Sequence, residues 1–143
     1  YLVSLRGTFP RLRVGALLVK EGRILSTGYN GSPPKAKHCL DAGCIVVNGA
    51  CVRSIHAEAN AIAEAARMGR ATLGTSLYTT HSPCLSCAKL LLASGIHGLI
   101  YNQYYRDPDG LDLLSTKLVT PPRVVNPLPE DTLGWVYPIP ETT

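Results

Sequence analysis

The sequence lacks any apolar run approaching the length of a bilayer-spanning helix, so no membrane partner is expected of its 143 residues. No secretory leader is expected either. Charge of one sign is nowhere concentrated: the net charge is only +4, and the basic residues are spread over Arg6 to Lys20, Lys35 to Lys37, Arg53, Arg67 to Arg70 and Arg106. Such a spread suits an anionic small molecule at least as well as a nucleic-acid strand, and a nucleic-acid partner is not expected. An even-numbered cysteine framework is missing too. Five cysteines, two of them three positions apart, fit metal-bound thiolates in a reducing cytosol better than secreted disulfides, so the expected location is the cytoplasm. No methionine starts the chain, which predicts an upstream segment whose helix the first residues complete.

What remains is the composition of an ordinary globular domain, 45% hydrophobic and 17% charged, long enough to build a core without disulfides or metal. A single domain over 1–143 is expected. Val14 to Lys20 and Ile24 to Tyr29 read as a hairpin turning at Glu21-Gly22, its first strand apolar enough to be buried on both faces. The segment 30–52, with its glycines, prolines and Asn-Gly pair, reads as an irregular loop or insertion. The alanine-rich stretch from His56 to Met68, ending before Gly69, is the most secure helix. Ser76 to Thr80 reads as a strand. Ser82-Pro83 then reads as the N-cap and first residue of a helix carried by Cys84 to Ser94, followed by a strand over Ile96 to Tyr101. Strand, helix, strand implies parallel pairing and an α/β sheet layered by helices. Pro108 to Lys117 reads as another helix, Arg123 to Val125 as a last strand, and 127–143 as a proline-rich extended tail whose Trp135 packs on the body or a neighbouring subunit.

Two segments carry chemistry. His56-Ala57-Glu58 and Pro83-Cys84-Leu85-Ser86-Cys87 each stand at the start of an expected helix. Cys84 and Cys87, three apart, share one face, where the positive helix end favours thiolate. Two thiolates and one neutral imidazole neutralise Zn²⁺ and leave a fourth position for water, whose pKa falls towards about 7. At the opening of its helix, His56 binds metal while Glu58 reaches over the open position as general base. The bland alternative is a closed structural zinc completed by Cys44 or Cys51, which accounts neither for Glu58 nor for both segments lying at helix starts.

His-x-Glu followed by Pro-Cys-x-x-Cys is the signature of the zinc-dependent nucleobase deaminases. Among them the chain resembles the deoxycytidylate (dCMP) deaminase family through VGALLV, GYNGSP, IHAEANAI and SPCLSCAKLL, which span most of Val14 to Ile100. Asn60 and Cys87-Ala88-Lys89 look like this family. Free-nucleoside deaminases usually carry cysteine in place of His56, and the transfer-RNA adenosine deaminases differ as well. The resemblance implies a three-layer α/β/α fold with a five-stranded mixed sheet. It also implies hydrolysis of dCMP to dUMP and ammonia, supplying dUMP for thymidylate synthesis. Glu58 would shuttle protons from the water to the ring nitrogen and the departing ammonia. A homo-oligomer, hexamer favoured, is implied, with dCTP activating, dTTP inhibiting and Mg²⁺ accompanying the nucleotide effector.

By the same resemblance Asn30 contacts the sugar and phosphate end of the nucleotide, and the Ala57 N–H and Ser82 carbonyl hold the base edge. Arg6, Arg11, Arg13, Lys35 and Arg106 are candidates for the 5′-phosphate. Arg6 is favoured because related sequences also carry arginine there. Tyr105 lies where similar chains keep a tyrosine near the nucleotide, and Arg67 where an arginine lies near the subunit contact and effector site. The plain readings are a turn residue for Asn30, a surface charge for Arg6, a core or surface tyrosine for Tyr105 and a helix-dipole partner for Arg67. Some relatives bind a second, structural zinc, but Phe9 stands where they place one of its cysteines. His38, Cys39, Cys44 and Cys51 number four, yet adjacent His38 and Cys39 are awkward ligands for one ion, so free or buried thiols are the preferred reading. His81 reads as polar surface in preference to a substrate contact. The rivals are another cytosine substrate (cytidine, dCTP or a base in nucleic acid) and a nucleotide sensor without turnover.

Overall fold

Glu21 and Gly22 both take positive φ, 51° and 73°, the pairing of a type I′ turn whose twist matches the strands it joins. They connect β1 (Gly15–Lys20) to β2 (Arg23–Tyr29), with Lys20 opposite Arg23. The computed structural model describes residues 1–47 and 50–125. A 3₁₀ helix, Leu2–Arg6, precedes the hairpin. After it come α1 (Cys39–Ala42), β3 (Val46–Val47), β4 (Ala50–Cys51), α2 (Ala57–Arg67), β5 (Ser76–His81), α3 (Leu85–Ala93), β6 (Gly98–Gln103), α4 (Asp109–Lys117) and β7 (Thr120–Val124).

Five strands form one mixed sheet in the order β2-β1-β5-β6-β7. β1 is antiparallel to both neighbours, whereas β5, β6 and β7 run parallel through the crossover helices α3 and α4. Side chains alternate between the faces of a sheet. Ala16, Leu18, Leu77, Leu99 and Tyr101 accordingly share one core with Ala57, Ala61 and Ala65 of α2, Ala88 and Leu91 of α3, and Leu114 of α4. An isolated helix shorter than about 12–15 residues is marginal in water, so the 11-residue α2 depends on this alanine face for its position. The approach is close. Gly28 in β2 lies against the Ala57 carbonyl and the Ala61 backbone, where a Cβ would not fit. On the opposite face Leu17, Tyr78 and Ile100 line a shallow hollow with Tyr1 and with Leu2 and Val3 of the 3₁₀ helix, which packs on β1 and β2 and represents the third layer among the described residues.

Several expected boundaries move. The segment 30–52 is not wholly irregular, because α1 and the β3–β4 ribbon form within it. β1 is fully buried only on its Ala16 and Leu18 side, since Leu17 and Val19 face the thinner third layer. The strand expected at Ile96 begins at Gly98. Gly95, at φ 73°, and Ile96, whose N–H reaches the Leu91 carbonyl at 3.2 Å, close α3 first. The tail 127–143 and Trp135 lie outside the described residues.

Candidate metal centre and its cavity

The starts of α2 and α3 are brought together by α2–α3 packing on one face of the sheet. His56 is the N-cap of α2 and Cys84 the N-cap of α3, with Cys87 one turn in. His56 Nδ1 lies 3.5 Å from Cys84 Sγ and 3.5 Å from Cys87 Sγ. A tetrahedral zinc with Zn–S of about 2.3 Å and Zn–N of about 2.0–2.1 Å sets its nitrogen and sulfur ligands about 3.6 Å apart. The three side chains therefore fit zinc without rearrangement. Neither cap residue makes a side-chain capping hydrogen bond. Ser82 does not cap α3 as expected, because the helix starts two residues later and the Ser82 hydroxyl accepts the Tyr105 N–H at 2.8 Å.

Glu58 sits in the first turn of α2 at 4% exposure, and burial pushes its carboxyl up to about 7, against the opposing pull of its own backbone N–H and of His56. Cys84 is drawn down to about 4, first by its hydrogen bond with Cys87 and then by His56. Cys87 is pushed the other way by the same bond and by burial. His56 is raised because Cys84 accepts its proton. The two thiols thus divide one proton very unequally.

A cavity of about 330 Å³ opens beside the centre, lined by His56, Ala57, Glu58 and Cys84. Asn30, Ser82 and Tyr105 also line it, as does His81, in contrast to the reading of that histidine as surface. Burial holds the His81 imidazole below its usual pKa. Arg6 is not brought to this wall. Its guanidinium lies 5.1 Å from the Tyr29 ring, while the cavity's arginines are Arg11, over Phe9, and Arg106, over Tyr105. Arg67 forms a bidentate pair with Glu64 on the exposed side of α2, 2.9 and 2.7 Å long. Asn60, read above as a family marker, donates to the Tyr29 carbonyl at 2.8 Å and so ties α2 to β2.

Asp107 went unnoticed in the sequence. Its Oδ2 accepts the Leu85 N–H at 3.2 Å and its Oδ1 the Asp109 N–H at 3.1 Å. Only the Asp-Pro-Asp spelling before α4 hinted at a cap, and nothing hinted that it reaches α3. A second cluster gathers Cys39, Cys44 and Cys51, their sulfurs within 4.8 Å of one another. His38 is outside it, its Nδ1 engaged with the Thr8 hydroxyl at 3.0 Å. Both metal-competent groups among the described residues are soft-donor sets, which suit zinc and not Mg²⁺.

A three-residue soft-donor set with a buried carboxyl lining the adjoining cavity, on a mixed α/β sheet, is the arrangement that metal-assisted hydrolysis uses. Residues 2–103 match the cytidine and deoxycytidylate deaminase zinc-binding region. The chain belongs to that family. It is 42% identical to ComE operon protein 2 of Bacillus subtilis over 106 residues, 74% of this chain and 56% of that protein. It is 35% identical to the deoxycytidylate deaminase of Enterobacteria phage T4, covering 73% of this chain and 74% of the phage enzyme. The crystal structure of the dCMP deaminase of cyanophage S-TIM5 with dCMP and dUMP superposes with a TM-score of 0.69 at 33% identity, covering 82% of each chain. The chain thus spans little more than half the length of the Bacillus protein. No helix among the described residues is long and apolar enough to cross a membrane.

Proposed function

We propose that the chain hydrolyses dCMP to dUMP and ammonia, with zinc held by His56, Cys84 and Cys87. The observation that carries this reading is one cavity lined at once by the metal centre, by Glu58 and by two arginines, Arg11 and Arg106, able to meet a 5′-phosphate. Bound zinc supplies the Lewis-acid charge that makes water nucleophilic near neutrality. Glu58, buried in the cavity wall, takes the water's proton and passes protons to the ring nitrogen and to the departing amine. The Ala57 N–H belongs to the first turn of α2, where helix N–H groups lack intrahelical acceptors, and is free to orient the base. The Ser82 carbonyl and the Asn30 and Tyr105 side chains complete the substrate wall. By the same family likeness, dCTP activates, dTTP inhibits and the chain assembles as a homo-oligomer, hexamer favoured, with Arg67 near a subunit contact.

Ammonia release from dCMP, deoxycytidine and a short single-stranded DNA tests the substrate. A kcat/KM for dCMP at least about tenfold above the others, a difference of about 1.4 kcal/mol, is expected. Preference for either alternative overturns the monophosphate.

A further inference from the structure

We propose that Asp107 is a positioning residue for the metal: it holds Cys84 and Cys87 at ligand spacing by capping α3 from outside the helix. The proposal rests on the reading of His56, Cys84 and Cys87 as zinc ligands.

The first N–H groups of a helix need acceptors, and the N-cap side chain ordinarily supplies one. In α3 the N-cap is Cys84, whose sulfur is committed to the metal set and makes no capping bond. The two roles exclude each other. The Leu85 N–H, immediately after that ligand, is instead taken by Asp107 Oδ2 at 3.2 Å, from 22 residues further along the chain. α4 has the same deficiency, because its N-cap is Pro108 and makes no side-chain capping bond. Its Asp109 N–H goes to Asp107 Oδ1 at 3.1 Å. One carboxylate thus closes both helix starts, and each bond carries the added strength of an anion at a positive helix end.

The two helix starts are also in tight contact. Gly110, buried in the first turn of α4, lies so close to the Pro83 carbonyl and the Cys84 backbone that no Cβ fits between them. Asp107 therefore fixes the ligand loop against a rigid surface, with α4 as the backing and Leu85 as the point of attachment. Because Cys84 and Cys87 are separated by a single helical turn that begins at Leu85, loosening that bond lets the first turn fray and the Sγ–Sγ spacing vary. Asp107 itself is not part of the cavity lining, so it acts through the ligands and not on the substrate.

The test is zinc affinity, measured by competition with a chromogenic chelator on Asp107→Ala and Asp107→Asn. Loss of partners that hold metal ligands typically weakens metal binding about 10–100-fold, and that range is expected for Asp107→Ala. Asp107→Asn keeps one carbonyl acceptor and should fall between alanine and the parent. With zinc in excess the Asp107→Ala protein should regain the parental KM, placing the defect in metal retention and not in substrate binding. Zinc affinity equal to the parent's in Asp107→Ala overturns the proposal. If the alanine variant does not fold, parental affinity in Asp107→Asn does the same. A protein that holds zinc tightly through His56, Cys84 and Cys87 yet releases no ammonia would count against the deaminase reading and leave the positioning role standing.

Discussion

The Ser82 hydroxyl accepts the backbone N–H of Tyr105 at 2.8 Å, and the Ser82 N–H in turn reaches the Gln103 carbonyl at 2.8 Å. The strand end that leads into the cysteine loop is thereby clasped to the strand end that leads to Arg106. Ser82 is 3% exposed, and its hydroxyl is the acceptor for the part-buried Tyr105 N–H. Ser82→Ala should lower stability by about 1–3 kcal/mol, the cost of leaving a buried donor unpaired. It should also raise KM for dCMP by freeing the Tyr105–Arg106 segment, with KM for deoxycytidine little changed. Urea titration and parallel kinetics on the two substrates check both parts, and an unchanged stability would show that the clasp is not significant.

Arg106 and Arg11 face the cavity, and each guanidinium is steadied over an aromatic ring, at 5.8 Å from the Tyr105 centroid and 5.3 Å from Phe9. A charge-assisted hydrogen bond contributes about 1.5–3 kcal/mol, so Arg106→Ala should lower kcat/KM for dCMP by about tenfold to a hundredfold and leave deoxycytidine almost unaffected. Arg6→Ala should do neither, since Arg6 stacks on Tyr29 away from the cavity wall. If Arg6→Ala gives the substrate-selective loss and Arg106→Ala does not, the phosphate lies elsewhere.

That contrast shows which features the sequence displays. His56, Glu58, Cys84 and Cys87 are legible because metal chemistry demands particular atoms at particular spacings, and few other residue sets satisfy it. The hairpin at Glu21-Gly22 and the helix ending before Gly69 are legible for a similar reason, since positive φ restricts the residue choice. The phosphate grip is not legible this way. Arg6, Arg11 and Arg106 look alike in a sequence, and only the meeting of the segment before β1 with the loop after β6 at one cavity decides which of them lines it. Ser82-Pro83 has the spelling of a helix cap, but in the structure the Ser82 hydroxyl accepts the Tyr105 N–H and Asp107, 22 residues beyond Leu85, does the capping.

Glu58 links catalysis to stability. Its carboxyl, 4% exposed, is raised from 4.5 to about 7, so the folded state prefers the protonated form. Stability from this group is fully present below pH 4.5 and is lost as pH rises through 7. Glu58→Gln keeps the shape and removes the charge. In zinc-stripped protein the variant should match the parent near pH 4 and exceed it by a few kcal/mol at pH 8, read from thermal or urea unfolding. The same substitution should lower ammonia release by about 10²-fold or more, because Glu58 is the only carboxylate among the described residues of the cavity wall. A parent and variant of equal stability at every pH would mean that Glu58 is solvated, and full activity in the variant would remove it from the mechanism.

Zinc uptake itself should release protons. In stripped protein at pH 7 Cys84, held at about 4, is already a thiolate, while Cys87, pushed well above its usual range by Cys84 and by burial, keeps its proton. His56 is raised by its hydrogen bond with Cys84, and whatever charge it carries leaves as a further proton. A thiol must ionise and an imidazole must be neutral to bind the metal. At least one proton per zinc is therefore expected at pH 7, rising towards two as the pH falls and more His56 is charged. Titration of weakly buffered, stripped protein with zinc, followed by an indicator dye, counts them. His56→Ala should reduce the count along with the affinity. Zinc binding without proton release would mean that Cys87 is not a ligand, and the three-ligand centre would have to be redrawn.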